Sequence, residues 1–349
     1  MSSVNWPLTP TTTGIGSLPH HNIDAALAFS FRTDIPFLPQ IPIRNPWEFM
    51  IAQALEGMPG LEMDRDGVAQ LRVDVWAGRS KAFNERLLAA FASAADPDAF
   101  AAFEPSAAAS SSWQPFLWEL QERKAAFAKV QLAGPLTSQW ALRLNDGTST
   151  DKHPEIGAQV FRLVLARALG MCRRLQEGKI QPILFFDEPG LYGLSPANPR
   201  HVLGLQELKL TVQMIRKAGV IVGLHCCSNT NWRAVLSLGL DVVSIDTALS
   251  LPSLQSEEAD LRTFLQNGGR LSLGVVPTAR DVEKTHAVSA VELLDELKSV
   301  LGKRLDLLRS SLLTPACGLA LHSPAEAEHI LATLLEFRRL CKETIELWD

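Results

Sequence analysis

The chain has 349 residues, 46% of them hydrophobic and 20% charged, the composition of a globular protein with a large core. A net charge of -5 without a basic run argues against nucleic acid as a partner, and no apolar stretch reaches the ~20 residues of a membrane span. Five cysteines without framework spacing fit a reducing compartment, and the start of the chain lacks the basic-then-apolar pattern of a secretory signal, so a cytoplasmic protein is expected.

Residues 1–10 read as an irregular arm. Thr12-Thr13-Gly14-Ile15-Gly16-Ser17 reads as a short strand running into a glycine-rich turn, with His20 and His21 in the loop beyond it. Asn22 or Asp24 can start a helix through Ala28. Ile35 to Pro42 is apolar but holds three prolines, which predicts a short strand with irregular ends. Residues 43–127 form a long excursion. Within it Pro46 to Glu56 is helical in pattern, and Leu71 to Trp76 alternates with period two, as an exposed hairpin strand does. Residues 88–112 read as helical pieces broken by Pro97 and Pro105. The excursion has too few large apolar residues for its own core, so it is expected to be an insertion within a single domain spanning 1–349.

From Lys129 onward the pattern is regular. Apolar strands are expected at Lys129–Gly134, Pro182–Asp187, Val220–Cys226, Val242–Asp246, Leu271–Val276 and Ser311–Pro315. Helices are expected between them, one ending at Gly178 and others at Leu205–Ala218, Asn231–Leu238, Leu261–Asn267 and Val291–Leu301. A last helix opens on a capping box, Ser323 with Pro324 and Glu326. With the first two, these strands make eight, short and apolar enough to be buried on both faces of a parallel sheet. The expected fold is therefore α/β, a (β/α)8 TIM barrel with an insertion between its second and third strands; periodicity alone leaves an open doubly wound sheet as the alternative.

Polar residues gather where these strands end: Ser17, Gln40, Asp187, His225, Cys227, Asp246 and Cys317. Active sites of such barrels lie at that face. Side chains alternate along a strand, so His225 and Cys227 point one way and Cys226 the other. A histidine and a cysteine side by side make half of a tetrahedral zinc site, and Asp246 and Cys317 are candidates for the other half. The competing reading is a core histidine beside inert thiols. Cys172 and Cys341 recur with apolar residues at helical spacing and belong to the core.

The order of these motifs over nearly the whole chain resembles the C-terminal catalytic barrel of cobalamin-independent methionine synthase, in the superfamily that includes uroporphyrinogen decarboxylase. Thr12-Thr13-Gly14-Ile15-Gly16-Ser17, Asp187-Glu188-Pro189, His225-Cys226-Cys227-Ser228-Asn229 and Cys317-Gly318-Leu319 carry the resemblance. It implies zinc held by His225, Cys227 and Cys317, with Asp246 where the family has a glutamate. It implies that Gly16 and Ser17 hold the substrate carboxylate, that Asp187 receives its ammonium, and that Trp140 faces a flat donor. Asp187 can otherwise be read as a strand terminator and Trp140 as rim packing. The family's His-Ser-Pro after the seventh strand is absent; counted from Gly274, its histidine falls at Ala279. These departures resemble the short, stand-alone members, which use a methylated corrinoid in place of methyltetrahydrofolate. The expected activity is methyl transfer to homocysteine, with a methyl-corrinoid protein as donor and partner. A coenzyme M-type alkyl-thiol transferase, a uroporphyrinogen decarboxylase-like enzyme and a non-catalytic corrinoid- or metal-binding protein are the alternatives.

Overall fold

The computed structural model describes residues 10–63, 68–148, 150–279, 288–302, 304 and 306–346. The arm expected over residues 1–10 lies almost entirely outside them. In chain order the strands are β1 (Thr11–Thr12), β2 (Leu61–Met63), β3 (Ala69–Leu71), β4 (Phe127–Ala133), β5 (Arg143–Leu144), β6 (Gln181–Asp187), β7 (Ile221–Cys226), β8 (Val242–Asp246), β9 (Arg270–Val276) and β10 (Leu312–Pro315). The α-helices begin with α1 (Ile23–Ser30), α2 (Met50–Leu55), α3 (Val73–Ala92), α4 (Trp113–Glu122), α5 (Pro135–Ala141), α6 (Pro154–Glu177) and α7 (Pro199–Lys217). They continue with α8 (Trp232–Leu236), α9 (Thr247–Ser256), α10 (Glu258–Gln266), α11 (Ala290–Leu301), α12 (Asp306–Arg309) and α13 (Pro324–Glu346).

Seven strands form one curled parallel sheet in the order β1-β10-β9-β8-β7-β6-β4. The residues expected to form the second strand bond to both of its edges. Toward β1, Ile35 N donates to Thr12 O at 3.0 Å and Gln40 N to Gly16 O at 3.0 Å. Toward β4, Lys129 N donates to Pro36 O and Leu38 N to Lys129 O, both at 2.9 Å. Pro36 and Pro39 have no N–H to give a ladder, so only two isolated parallel bridges form here, Ser17 with Gln40 and Phe37 with Lys129.

Period two divides each long strand between two apolar clusters. Ile183 and Phe185 of β6, Ile221 of β7, Val242 of β8 and Leu312 of β10 pack with Ile35 on the concave side. Leu184, Phe186, Val222, Leu224, Val243 and Ile245 face outward into the main core beneath the helices. Each such side chain contributes about 1.5–3 kcal/mol through burial.

The helices follow their local signals. Asn22 caps α1, accepting from Asp24 N and Ala25 N. Gly178 closes α6, and the Ser323–Glu326 capping box starts α13. Two expectations are corrected. Leu71–Trp76 is not an exposed strand: β3 ends at Leu71, and a 20-residue helix, α3, starts at Val73. Six alternating residues are too few to fix a period, and Trp76, Phe83, Leu87 and Ala90 form a buried helical face. A hairpin does occur, but it pairs β2 with β3. In addition, α9 directly follows β8, hidden in the sequence by Pro252 inside it. Insertion residues Phe83, Leu87, Phe100, Phe103 and Trp113 join the same core as Leu132 and Val164. Among the described residues, no helix is long and apolar enough to cross a membrane.

Candidate metal centre

β7 ends in His225 and Cys226, buried on opposite faces of the sheet. Cys226 lies in the outer core, where burial pushes its thiol up to about 12. His225 faces the concave side. Its Nδ1 lies 3.0 Å from Ser244 Oγ on the neighbouring strand, and its buried Nε2 has no hydrogen-bond partner. Cys227 follows the strand, and Cys317 stands just beyond β10. One ligand atom from each of His225, Cys227 and Cys317 lies within 4.8 Å of the others.

The electrostatics of this group are those of a thiolate site. The neighbouring Cys317 thiol and then the nearby His225 imidazole hold the Cys227 thiol well below the ordinary thiol range. The neighbouring Cys227 sulfur and then burial push Cys317 upward. One nitrogen and two sulfurs at a common point, with the histidine nitrogen otherwise orphaned, form a donor set suited to a borderline-soft metal ion. The second histidine nitrogen is already engaged by Ser244, the usual way a ligating imidazole is oriented.

Asp246 is not part of this cluster. Its Oδ1 accepts from Leu249 N at 3.1 Å and caps α9. The helix missed in the sequence thus competes for the carboxylate expected to be a fourth ligand.

No protein-family model matches the chain, and no curated protein matches it significantly.

The remaining candidate residues surround the cluster. Asp187 ends β6 in register with His225; its carboxyl is buried, and Oδ1 has no hydrogen-bond partner. Burial raises Asp187 to about 6, against the opposing pull of His225 and Lys129. Gly16 has φ +151, and a Cβ there would meet Gln131 at 2.4 Å, so this turn requires glycine. Ser17 O accepts from Leu319 N at 2.8 Å, and a Cβ on Gly318 would lie 2.1 Å from Ser17 Oγ. The glycine-rich turn and the Cys317 turn therefore touch.

Trp140 sits on α5 with its ring centroid 4.6 Å from that of His201. These rings, with Gln139, Arg200 and Glu207, line a cavity of about 460 Å³. Its closest tie to the centre runs through the turn after Asp187: a Cβ on Gly190 would lie 3.3 Å from the Trp140 ring. His20 is buried with Nδ1 unpartnered, His21 is exposed, and Ala279 is exposed beyond β9.

Four residues with clear roles in this architecture escaped the sequence reading. Ser244 bonds the histidine. Glu188 is fully buried and accepts from Leu136 N and Thr137 N at 3.0 and 2.6 Å, which ties β6 to the start of α5. His322 presents Nε2 to Thr278 O at 3.1 Å, next to Ala279. Lys129 is 2% exposed on the concave side of β4. Only Glu188, beside Asp187 in Asp-Glu-Pro, carried a sequence signal that could have prompted its selection; the others depend on cross-strand neighbours.

Proposed function

We propose that the chain is a (β/α)8 barrel, with Ile35–Gln40 as its interrupted second strand, and that it is a cytoplasmic zinc-dependent methyltransferase. Its acceptor is a small thiol, homocysteine, and the product is methionine. The observation that carries this reading is the convergence of one ligand atom each from His225, Cys227 and Cys317 within 4.8 Å, with His225 Nε2 and Asp187 Oδ1 buried and unpartnered.

His225, Cys227 and Cys317 would hold the metal, with Ser244 fixing the imidazole so that Nε2 is the donor. Bound there, zinc supplies a Lewis acid that makes a coordinated thiol a thiolate at neutral pH. Asp187 binds the substrate ammonium as a charge-assisted pair, and the Gly16–Ser17 turn holds the carboxylate. These two anchors fix the sulfur for in-line attack on a methyl group. The methyl carbon–cobalt bond of a methylated corrinoid breaks as the carbon–sulfur bond forms, and cobalt keeps the electron pair. Such a leaving group needs no proton donor, which fits Ala279 and a His322 ring already bonded to Thr278 O.

Metal analysis of the purified protein, followed by homocysteine methylation assays with methylcobalamin and with methyltetrahydrofolate, tests the reading. One zinc per chain and turnover with methylcobalamin are expected. Background metal content would end it. Turnover with methyltetrahydrofolate alone would change the donor; loss of that turnover in His322→Ala would identify His322 as the acid.

A further inference from the structure

Lys129 is the one strongly buried cation that the mechanism above leaves unused on the concave side of β4, among the described residues. Its Nζ donates to Ile15 O at 2.6 Å and to Gln131 Oε1 at 3.2 Å, and it stands 4.9 Å from the centre of the Phe185 ring. No carboxylate lies within ion-pair distance of it among the described residues; Asp187 acts on it only through space. Burial lowers its pKa to about 8, which marks how thoroughly water is excluded around it. An ammonium in such a place is costly unless its charge is used.

The contact with Ile15 shows where the charge is felt. The Ile15 carbonyl and the Gly16 N–H belong to one peptide unit. A cation on the oxygen polarises that unit and strengthens the N–H as a donor, because hydrogen bonds in series reinforce one another where the dielectric is low. Among the described residues, neither Gly16 N–H nor Ser17 N–H donates to any protein oxygen. The turn that carries them abuts the Cys317–Gly318 turn. Two unpaired backbone donors, one of them backed by a buried cation, therefore stand beside the metal cluster. Asp187, the nearest buried anion with a free oxygen, stands on the adjoining strand.

We propose that Lys129 is a positioning and specificity residue which, through the Ile15–Gly16 peptide, makes the Gly16–Ser17 turn a receptor for the α-carboxylate of the thiol substrate and so restricts the enzyme to amino-acid thiols. With Asp187 it forms a fixed plus–minus pattern complementary to the carboxylate and ammonium of an α-amino acid. The proposal rests on the functional reading above and adds the group that enforces it.

Calorimetric titration of the metal-loaded protein with three thiols separates the two. Homocysteine has both charged groups, 3-aminopropane-1-thiol lacks the carboxylate, and 4-mercaptobutanoate lacks the ammonium. Lys129→Met is expected to weaken homocysteine and 4-mercaptobutanoate on the order of 10–100-fold, the size of one charge-assisted contact. It leaves 3-aminopropane-1-thiol within about threefold and metal content unchanged. Lys129→Gln, which can still donate to Ile15 O, restores part of the loss. Equal weakening of all three thiols, or of none, would overturn the proposal. So would wild-type protein that binds 3-aminopropane-1-thiol as tightly as homocysteine, a result that needs no variant to fold. Wild-type protein that holds its metal but binds no thiol would sink the functional reading, and this inference with it.

Discussion

The concave side of the sheet has two unlike ends. At the end where β6, β7 and β8 begin, it is closed by Ile35, Ile183, Phe185, Ile221, Val242 and Leu312, all apolar. At the end where the same strands finish, it carries Asp187, His225, Ser244 and the two thiols. Phe185 and Asp187 are two residues apart, and along β6 the change from filling space to holding charge occurs between them; on β4 the buried Lys129 lies lower, paired with Ile183. Water exclusion below makes the groups above electrostatically strong, while those groups weaken the fold they stand on.

The largest effect that would sharpen this contrast is at the upper end. Cys227→Ser or Cys317→Ser is expected to abolish metal binding, with far-ultraviolet circular dichroism unchanged. Cys226→Ser, one residue away but on the apolar outer side, should keep the metal and lose roughly 1–3 kcal/mol of stability instead. Metal retained in both single thiol variants would dissolve the distinction.

Next in size is the lower end. Phe185→Ala should cost about 3–5 kcal/mol in denaturant unfolding. It also removes the ring beneath Lys129, 4.9 Å away, so homocysteine binding should weaken along with stability. A loss under about 1 kcal/mol would mean that the lower end is not close-packed.

Asp187 tests the conflict between the two ends. Its carboxyl, ordinarily near 3.8, is raised to about 6 in the folded protein, chiefly by burial. The folded state therefore holds this proton more tightly than the unfolded chain does. Stability from this group is full below the unfolded value and declines as pH rises toward 6, an effect of up to about 3 kcal/mol. Asp187→Asn should thus melt higher than wild type at pH 8 in metal-free protein. The gap should shrink toward pH 4, and homocysteine binding should fall. A variant that is destabilised at pH 8 would show that the carboxylate has a partner in the fold.

The smallest expected effect is at Ser244. Ser244→Ala removes the hydrogen bond that orients His225 and should lower metal affinity about tenfold. An unchanged affinity in a chelator competition would mean that packing alone orients the ring.

The parallel strands were legible because both of their faces are buried, which leaves nearly continuous apolar runs such as Pro182–Phe186 and Val220–Val222. The cluster residues were legible because period two assigns His225 and Cys226 to opposite faces without reference to any neighbour. What escaped was set by contacts distant in sequence. The alternation at Leu71–Trp76 gave way to a helix because Trp76 finds its indole partner at Gln159. The helix that Asp246 caps through Leu249 N gave no local signal, because Pro252 lies inside it. Ser244, Lys129 and His322 have no local pattern; only the strand or turn opposite gives each of them work.

Glu188 has a consequence of another kind. Its two oxygens grip the first N–H groups of α5, and Gly190 N returns a bond to Thr137 Oγ1 at 3.0 Å. Gly134 leaves room for this carboxylate; a Cβ there would lie 2.1 Å from Glu188 Oε1. The adjacent residues Asp187 and Glu188 thus point to opposite sides of one hydrogen-bonded bracket. Trp140 and the Asp187 carboxylate are joined through these bonds, so a ligand that shifts the tryptophan is expected to displace the aspartate too. A single added methyl at residue 134 would pry the bracket open and separate the two movements.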